Sequence, residues 1–376
     1  MEFLRRTWAE IDISALKSNF DFIKKIADGS KIMAVVKANA YGHDAAIVAP
    51  LLQKEGADAF AVATLDEAVN LRGCGITKPI LIFGYTPPEA AGKLAANDIT
   101  QCVYSAEYAE ALAYEAEKKR LKIKVFIKLD TGMSRLGFDC RTDELCGIDA
   151  AVCGAAKPQF EVKGVFTHFC AADRVKMTDD GFTDAQYKRF EAAKQKLRAA
   201  GVNAEFSCRN SAAVLQDREK GGGLCRPGII LYGLAPAAGI DNFPELTPVM
   251  TLKSVVSMVK EIRKGETVSY GRKFTAERNM KVATVSAGYA DGYPRILSGR
   301  AYVLINGVKA PILGRVCMDQ MVVDATGTNA KPDDEVILFG KELSVTKLAE
   351  AAGTINYEIV CGVSPRVPRI AVESEK

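Results

Sequence analysis

No run of about 18 apolar residues occurs in this chain, which leaves no candidate for a membrane-spanning helix. Excess charge is also missing: 50 Lys and Arg stand against 46 Asp and Glu, a net +4, with no long run of either sign. Such a balance argues against a nucleic-acid or membrane surface and points to small-molecule partners. Histidine is confined to His43 and His168, and the ten cysteines form no Cys-x-x-Cys pair. No metal site is expected from them, and they read as reduced thiols rather than a disulfide framework. The N-terminal stretch lacks an apolar core of signal-peptide length, so the expected location is the cytoplasm.

At 376 residues the chain exceeds what one core usually organises, and two domains are expected. After an amphipathic segment at Ile13 to Ala27, eight short apolar runs leave room for helices between them. They are Lys31 to Lys37, Asp58 to Ala63, Pro79 to Gly84, Ile99 to Tyr104, Lys122 to Asp130, Val162 to Phe169, Ala204 to Cys208 and Leu224 to Tyr232. With intervening helical stretches such as Ala106 to Arg120 and Asp184 to Ala200, this pattern predicts an α/β fold, a (β/α)8 or TIM barrel. A doubly wound sheet fits less well, because no Gly-x-Gly-x-x-Gly turn follows the first strand. Near Leu234 the rhythm changes to a Pro/Gly/Ala stretch and then to alternating or β-branched runs between Thr251 and Phe339. The expected division is a barrel over residues 1–234 and a mostly-β domain over 235–376.

The most informative segment is Ala34 to His43, where an apolar strand ends on Lys37 and a turn carrying Tyr41 follows. A crowded ammonium loses its proton easily, and the free amine attacks carbonyls, so a lysine here suits Schiff-base chemistry. A lysine stem that merely snorkels past a strand end fits this segment equally well. In a barrel the C-terminal strand ends build the active site. That rule gathers Lys37 and Tyr41, Lys128 and Arg135 around Asp130-Thr131-Gly132-Met133, His168, Asn210-Ser211, and Arg226-Pro227-Gly228-Ile229. The backbone N–H groups of Gly228 and Ile229, with the hydroxyls of Ser211 and Tyr41, would hold one anion. An anion site facing an imine-forming lysine suggests pyridoxal phosphate, held at its aldehyde and its phosphate. Taken singly, the glycines could simply turn the chain and Ser211 could cap a helix.

Six motifs in order then resemble one family, alanine racemase: residues 34–43, Lys-Leu-Asp-Thr-Gly-Met-Ser-Arg at 128–135, Arg-Pro-Gly-Ile at 226–229, Ser-Tyr-Gly at 269–271, Gly-Tyr-Ala-Asp-Gly-Tyr at 288–293, and Arg-Val-Cys-Met-Asp-Gln at 315–320. The resemblance spans both expected domains. It implies a pyridoxal-phosphate enzyme, a head-to-tail homodimer with shared active sites, and supply of D-alanine to a bacterial cell wall. Lys37 would hold the cofactor and act as base on one face of the substrate Cα, with Tyr270 of the other subunit as base on the opposite face. Both are needed, because a proton returned to the face it left regenerates the same enantiomer. Tyr270 would hydrogen-bond His168, and His168 would contact Arg226, placing positive charge near a phenolate whose ordinary pKa is about 10. Arg226 would face the pyridine nitrogen, and since arginine keeps its proton, less carbanion charge would enter the ring.

By the same resemblance, Arg135 would hold the cofactor's phenolic oxygen or the substrate carboxylate, and Met318 of the partner would meet that carboxylate through its backbone N–H. Lys128 would be carbamylated and orient Arg135. Tyr357 would reach the cofactor phosphate from the partner chain and, with Tyr289, narrow the entrance to favour a small side chain. Two departures stand out: Ser207 replaces a histidine usual three residues before the asparagine, and Asp44 replaces the glycine usual after His43. Serine or broad-specificity racemisation, a non-catalytic barrel that binds pyridoxal phosphate, and a two-domain decarboxylase are the competing readings. A single methyl or hydroxyl shifts discrimination by only about 1–3 kcal/mol, so substrate choice within racemases stays open. The second domain disfavours the binding module, and Cys317 to Gln320 fits a racemase better than a decarboxylase.

Overall fold

A computed structural model describes residues 5–172, 181–216, 223–237, 243 and 245–374. Eight parallel strands follow one another around the first sheet in the order Leu224–Cys225, Lys31–Val35, Ala59–Val62, Ile80–Ile82, Ile99–Val103, Ile123–Asp130, Phe160–Phe166 and Glu205–Ser207. The two edges meet through a single bridge, Asn210 with Arg226, so the barrel is nearly closed. Strands such as Ala59–Val62 and Ile80–Ile82 are buried along their whole length, as expected where helices cover a sheet whose other face fills the barrel. The crossover helices start on local signals. Thr64 and Glu67 form a capping box for Leu65–Gly73, and Ser105 caps Ala106–Lys118.

Two expected strands stop early. The apolar run from Leu224 to Tyr232 forms strand only over its first two residues and pairs no further than Arg226 and the Pro227 carbonyl, because Pro227 has no N–H for a ladder; Ile229–Tyr232 instead forms a buried 3-10 turn. The first barrel strand ends at Val35, two residues before Lys37.

The second sheet contains Met280–Val285, Met321–Asp324, Val308–Leu313, Tyr302–Ile305, Glu335–Phe339 and the long Met250–Ile262 strand, which also pairs back with Met280–Val285 and closes the six. This is the expected mostly-β domain, with one correction. Thr7–Asp12, which a division at Leu234 assigns to the barrel, pairs antiparallel with Met250–Ile262 and parallel with Arg369–Val372. It pairs with strands more than 200 positions away, and no local pattern encodes such a partner. Most buried apolar residues of both sheets form one continuous core, while Ile262, Met280, Val282 and Leu313 of the second sheet pack into a smaller separate cluster. No helix among the described residues is long and apolar enough to cross a membrane.

Candidate active site

The turn after the first barrel strand is the strained element of the site. Ala38, Asn39, Ala40 and Tyr41 all have φ between 52° and 56°, a left-handed turn that costs non-glycine residues roughly 1–2 kcal/mol each. Its surroundings hold it. Glu67 accepts from the Ala38 N–H (2.7 Å), Asn39 accepts from Ala45 N–H (2.8 Å), and Arg369 donates to the Gly42 carbonyl (2.9 Å). His43, fully buried and stacked on Tyr232 at 4.4 Å, donates from Nδ1 to the carbonyls of Ala40 and Tyr41. A Cβ on Gly42 would stand 2.2 Å from the Val360 carbonyl oxygen, so only glycine lets the turn meet the helix Asn356–Cys361.

This turn brings Lys37 and Tyr41 onto a cavity of about 620 Å³ at the barrel mouth, shared with Lys128, Arg135, His168, Asn210, Ser211, Arg226, Gly228, Ile229 and Tyr357. Ten of the expected site residues therefore join Lys37 in one chamber. Burial, then the nearby Arg135, lowers the proton affinity of the Lys37 amine. Burial also brings Lys128 down to about 8; its Nζ donates to the Leu129 carbonyl (2.6 Å) and lies 5.3 Å above the Phe166 ring. Sequence reasoning missed the aromatic wall of Phe83 and Phe166, as well as Cys361 beside Lys37. Nothing in their local sequence separates them from ordinary core positions.

Arg226 lies buried with its guanidinium 5.2 Å above Phe166, donating to Ser207 Oγ and the Thr167 carbonyl (2.6 Å). Burial lowers it only to about 10, so it stays protonated near neutral pH. Ser207 passes its own proton to the Leu224 carbonyl (2.5 Å), which leaves its oxygen to accept from Arg226. The departure at this position therefore has a clear local role.

The polar groups of the chamber have partners within the chain. Burial first, then the charges of Arg226, Lys128, Arg135 and Lys37, push His168 well below its ordinary value and keep it neutral. The Gly228 N–H donates to Ser211 Oγ (2.8 Å), leaving the serine hydroxyl proton available to the cavity. Asn210, rather than Ser211, caps the short helix: its Oδ1 accepts from Ala213 and its Nδ2 donates to the Phe169 carbonyl. Tyr357, expected to reach a partner's cofactor, lines its own chain's cavity, 6.0 Å ring to ring from Tyr41.

Tyr270, Tyr289 and Met318 line no part of this cavity; they are 70%, 40% and 53% exposed on the second domain. Tyr270 projects from a turn with Ser269 at φ 65° and Gly271 at φ 71°, fixed by the Ser269 hydroxyl donating to the Arg315 carbonyl (2.7 Å).

The family models described as alanine racemase, N-terminal domain, and alanine racemase, C-terminal domain, match residues 11–236 and 249–371. The chain belongs to the alanine racemase family. It is 41% identical to alanine racemase 1 of Clostridium acetobutylicum, covering 99% of this chain and 96% of that one. The alanine racemase of Clostridium difficile 630 superposes with a TM-score of 0.92 at 39% identity, covering 99% and 97%. The alanine racemase of Bartonella henselae, solved with covalently bound pyridoxal phosphate, superposes with a TM-score of 0.86 at 30% identity, covering 98% and 100%. Pyridoxal phosphate is the cofactor of the alanine racemase family, and the chamber fits it. Lys37 supplies the amine, Tyr41 and Ser211 the hydroxyls, and Arg226 a cation. A Cβ on Gly228 would come within 2.6 Å of Tyr41 Oη and close the space the anion needs.

Proposed function

We propose that this chain interconverts L-alanine and D-alanine by two-base proton transfer, with Lys37 serving one face of Cα and Tyr270 of the partner subunit the other. The observation that carries this reading is the split of the machinery. The chamber holds the amine, the anion hydroxyls and Arg226, while Tyr270 lies outside it, 70% exposed on the same chain's second domain. Bound pyridoxal phosphate supplies the electron withdrawal that makes the Cα proton removable. Lys37, whose proton affinity burial and the nearby Arg135 lower, is the group that takes that proton on its face. Arg226 keeps its own proton, so it can hydrogen-bond a ring nitrogen without protonating it. His168 is neutral, so positive charge near the phenolate comes from the arginines, with His168 as a hydrogen-bonding relay.

Arg135, exposed at the chamber mouth, is placed to receive a carboxylate; the partner's Met318 N–H and the partner's Tyr289 complete that end. The amine of Lys128, at about 8, is partly uncharged near neutral pH and open to carbamylation, which would show as a carbamate carbon signal in 13C NMR of the native protein under labelled CO2. The assembly is a homodimer, the location the cytoplasm, and the product D-alanine for peptidoglycan. The test is L-alanine in deuterated water with the holoenzyme: loss of optical activity together with deuterium at Cα supports the reading, and neither with bound cofactor would turn it toward a binding protein. Serine and lysine as parallel substrates distinguish a broad-specificity racemase.

A further inference from the structure

Tyr289 and Met318 belong to two loops that the structure joins into one body. The N–H groups of Tyr289 and Ala290 donate to the carbonyls of Cys317 (3.0 Å) and Met318 (2.9 Å). A Cβ on Gly288 would stand 2.4 and 2.3 Å from those same oxygens, so the loops touch only because glycine lies between them. Beneath the contact sits the carboxylate of Asp291, with its side chain wholly buried. It accepts from the Gly288 N–H (2.9 Å), from both Nη atoms of Arg6 (2.8 and 3.2 Å) and from Arg366 Nε (2.8 Å). The two arginines reach on to the Met318 loop: Arg6 donates to the Asp319 carbonyl (3.0 Å) and Arg366 to the Asp319 carboxylate (2.8 Å). Burial alone would raise Asp291, but the arginines hold it below the ordinary carboxylate range, so it stays ionised.

None of these groups touches the chamber of its own chain. The network therefore ties together the backbone of the two loops that carry Tyr289 and Met318, whose side chains are exposed and line no part of that chamber. We propose that Asp291 is a positioning residue acting in trans: through Arg6 and Arg366 it fixes Tyr289 and Met318 as one rigid pair that completes the substrate end of the partner's site. The proposal rests on the shared-site reading above. It assigns no chemistry to Asp291 itself; a displacement of about 1 Å at a reacting group can cost on the order of a hundredfold.

The test uses holoenzyme heterodimers made by co-expressing two differently tagged chains. As the reference, Lys37→Ala is paired with Tyr270→Phe; if sites are shared, one of the two sites in that heterodimer is native and about half the wild-type activity per dimer returns. Lys37→Ala is then paired with Asp291→Asn. The Asp291→Asn homodimer should keep its cofactor absorption and lose about a hundredfold in kcat/KM, and the mixed dimer should recover the same half as the reference. Recovery in the reference but not in the Asp291 pair would place the defect in the variant's own barrel and overturn the proposal, as would an Asp291→Asn homodimer of undiminished activity. No recovery in the reference would remove the shared-site reading, and the proposal with it. Should Asp291→Asn not fold, Arg366→Gln takes its place in the same cross, with an expected loss of about tenfold, since Arg6 still holds Asp291 and the Asp319 carbonyl while the tie to the Asp319 carboxylate is cut.

Discussion

The turn at residues 38–41 and the turn at 269–272 both depend on left-handed backbone, yet they are held in opposite ways. The first is held by several neighbours, by Glu67, Arg369, the His43–Tyr232 stack and the helix at Asn356–Cys361, with Ala40 and Tyr41 buried. The second is held from below by Ser269 and Arg315 and leaves Tyr270 in solvent. A base whose proton affinity must be shifted by burial needs the first arrangement. A group that serves another subunit needs the second: a firm base under an open side chain.

Removing each base should separate the two turns most sharply. Lys37→Ala is expected to abolish racemisation by at least about ten-thousandfold, because that residue both anchors and deprotonates. Tyr270→Phe should abolish racemisation while one enantiomer still exchanges deuterium at Cα, as followed by proton NMR in deuterated water. Exchange lost from both enantiomers would contradict the assignment of one base to each face.

Glycine substitutions probe the packing itself. Gly42→Ala meets the rigid Val360 carbonyl at φ +82° and should cost about 4 kcal/mol in urea unfolding. Gly271→Ala, whose Cβ would rest 3.5 Å from the end of the Arg315 side chain, should cost only about 1 kcal/mol. Equal losses would mean the two turns are equally constrained.

Acid should distinguish them next. His43 titrates near 6.5 in the unfolded chain but only near 4 when folded, because burial disfavours its charged form. Between those values the unfolded state binds more protons, so stability falls as the pH is lowered from 6.5 to 4, by about 3 kcal/mol in total. Denaturation midpoints measured across that window should show the slope, and His43→Phe, which keeps a ring against Tyr232, should flatten it.

A local effect is expected at Ser207→Ala. It leaves one N–H of a buried guanidinium without its acceptor, at about 1–3 kcal/mol, and should show as weaker retention of cofactor on dialysis. Ser207→Thr keeps the oxygen and should restore most of it.

The eight barrel strands and most of the second sheet were legible in the sequence because continuous apolar runs and alternation report burial directly. The first strand was not, since its partners lie at the far end of the chain. Lys37, Tyr41 and Arg226 were legible through motifs at strand ends. What escaped was which polar atoms are already committed: that Asn210 caps the helix, that the Gly228 N–H is taken by Ser211, and that Tyr357 belongs to its own chain. Those facts depend on distances of a few tenths of an ångström between segments that no spacing rule connects. Asp291 lay within a recognised motif, but its arginines come from opposite ends of the sequence.

The pairing of Thr7–Asp12 with Met250–Ile262 also governs how the protein is made. Thr7 leaves the ribosome 247 residues before Ser254, its partner in register. At roughly 5–20 residues per second, the strand edge stays open for about 12 to 50 s while the barrel forms behind it. An unpaired strand is a template for aggregation, and charges along it are the usual protection. Arg5, Arg6 and Glu10 supply them here. In the finished fold Arg6 turns to Asp291 and Glu10 to Lys253, so side chains that guard the nascent edge end up as ties within the second domain.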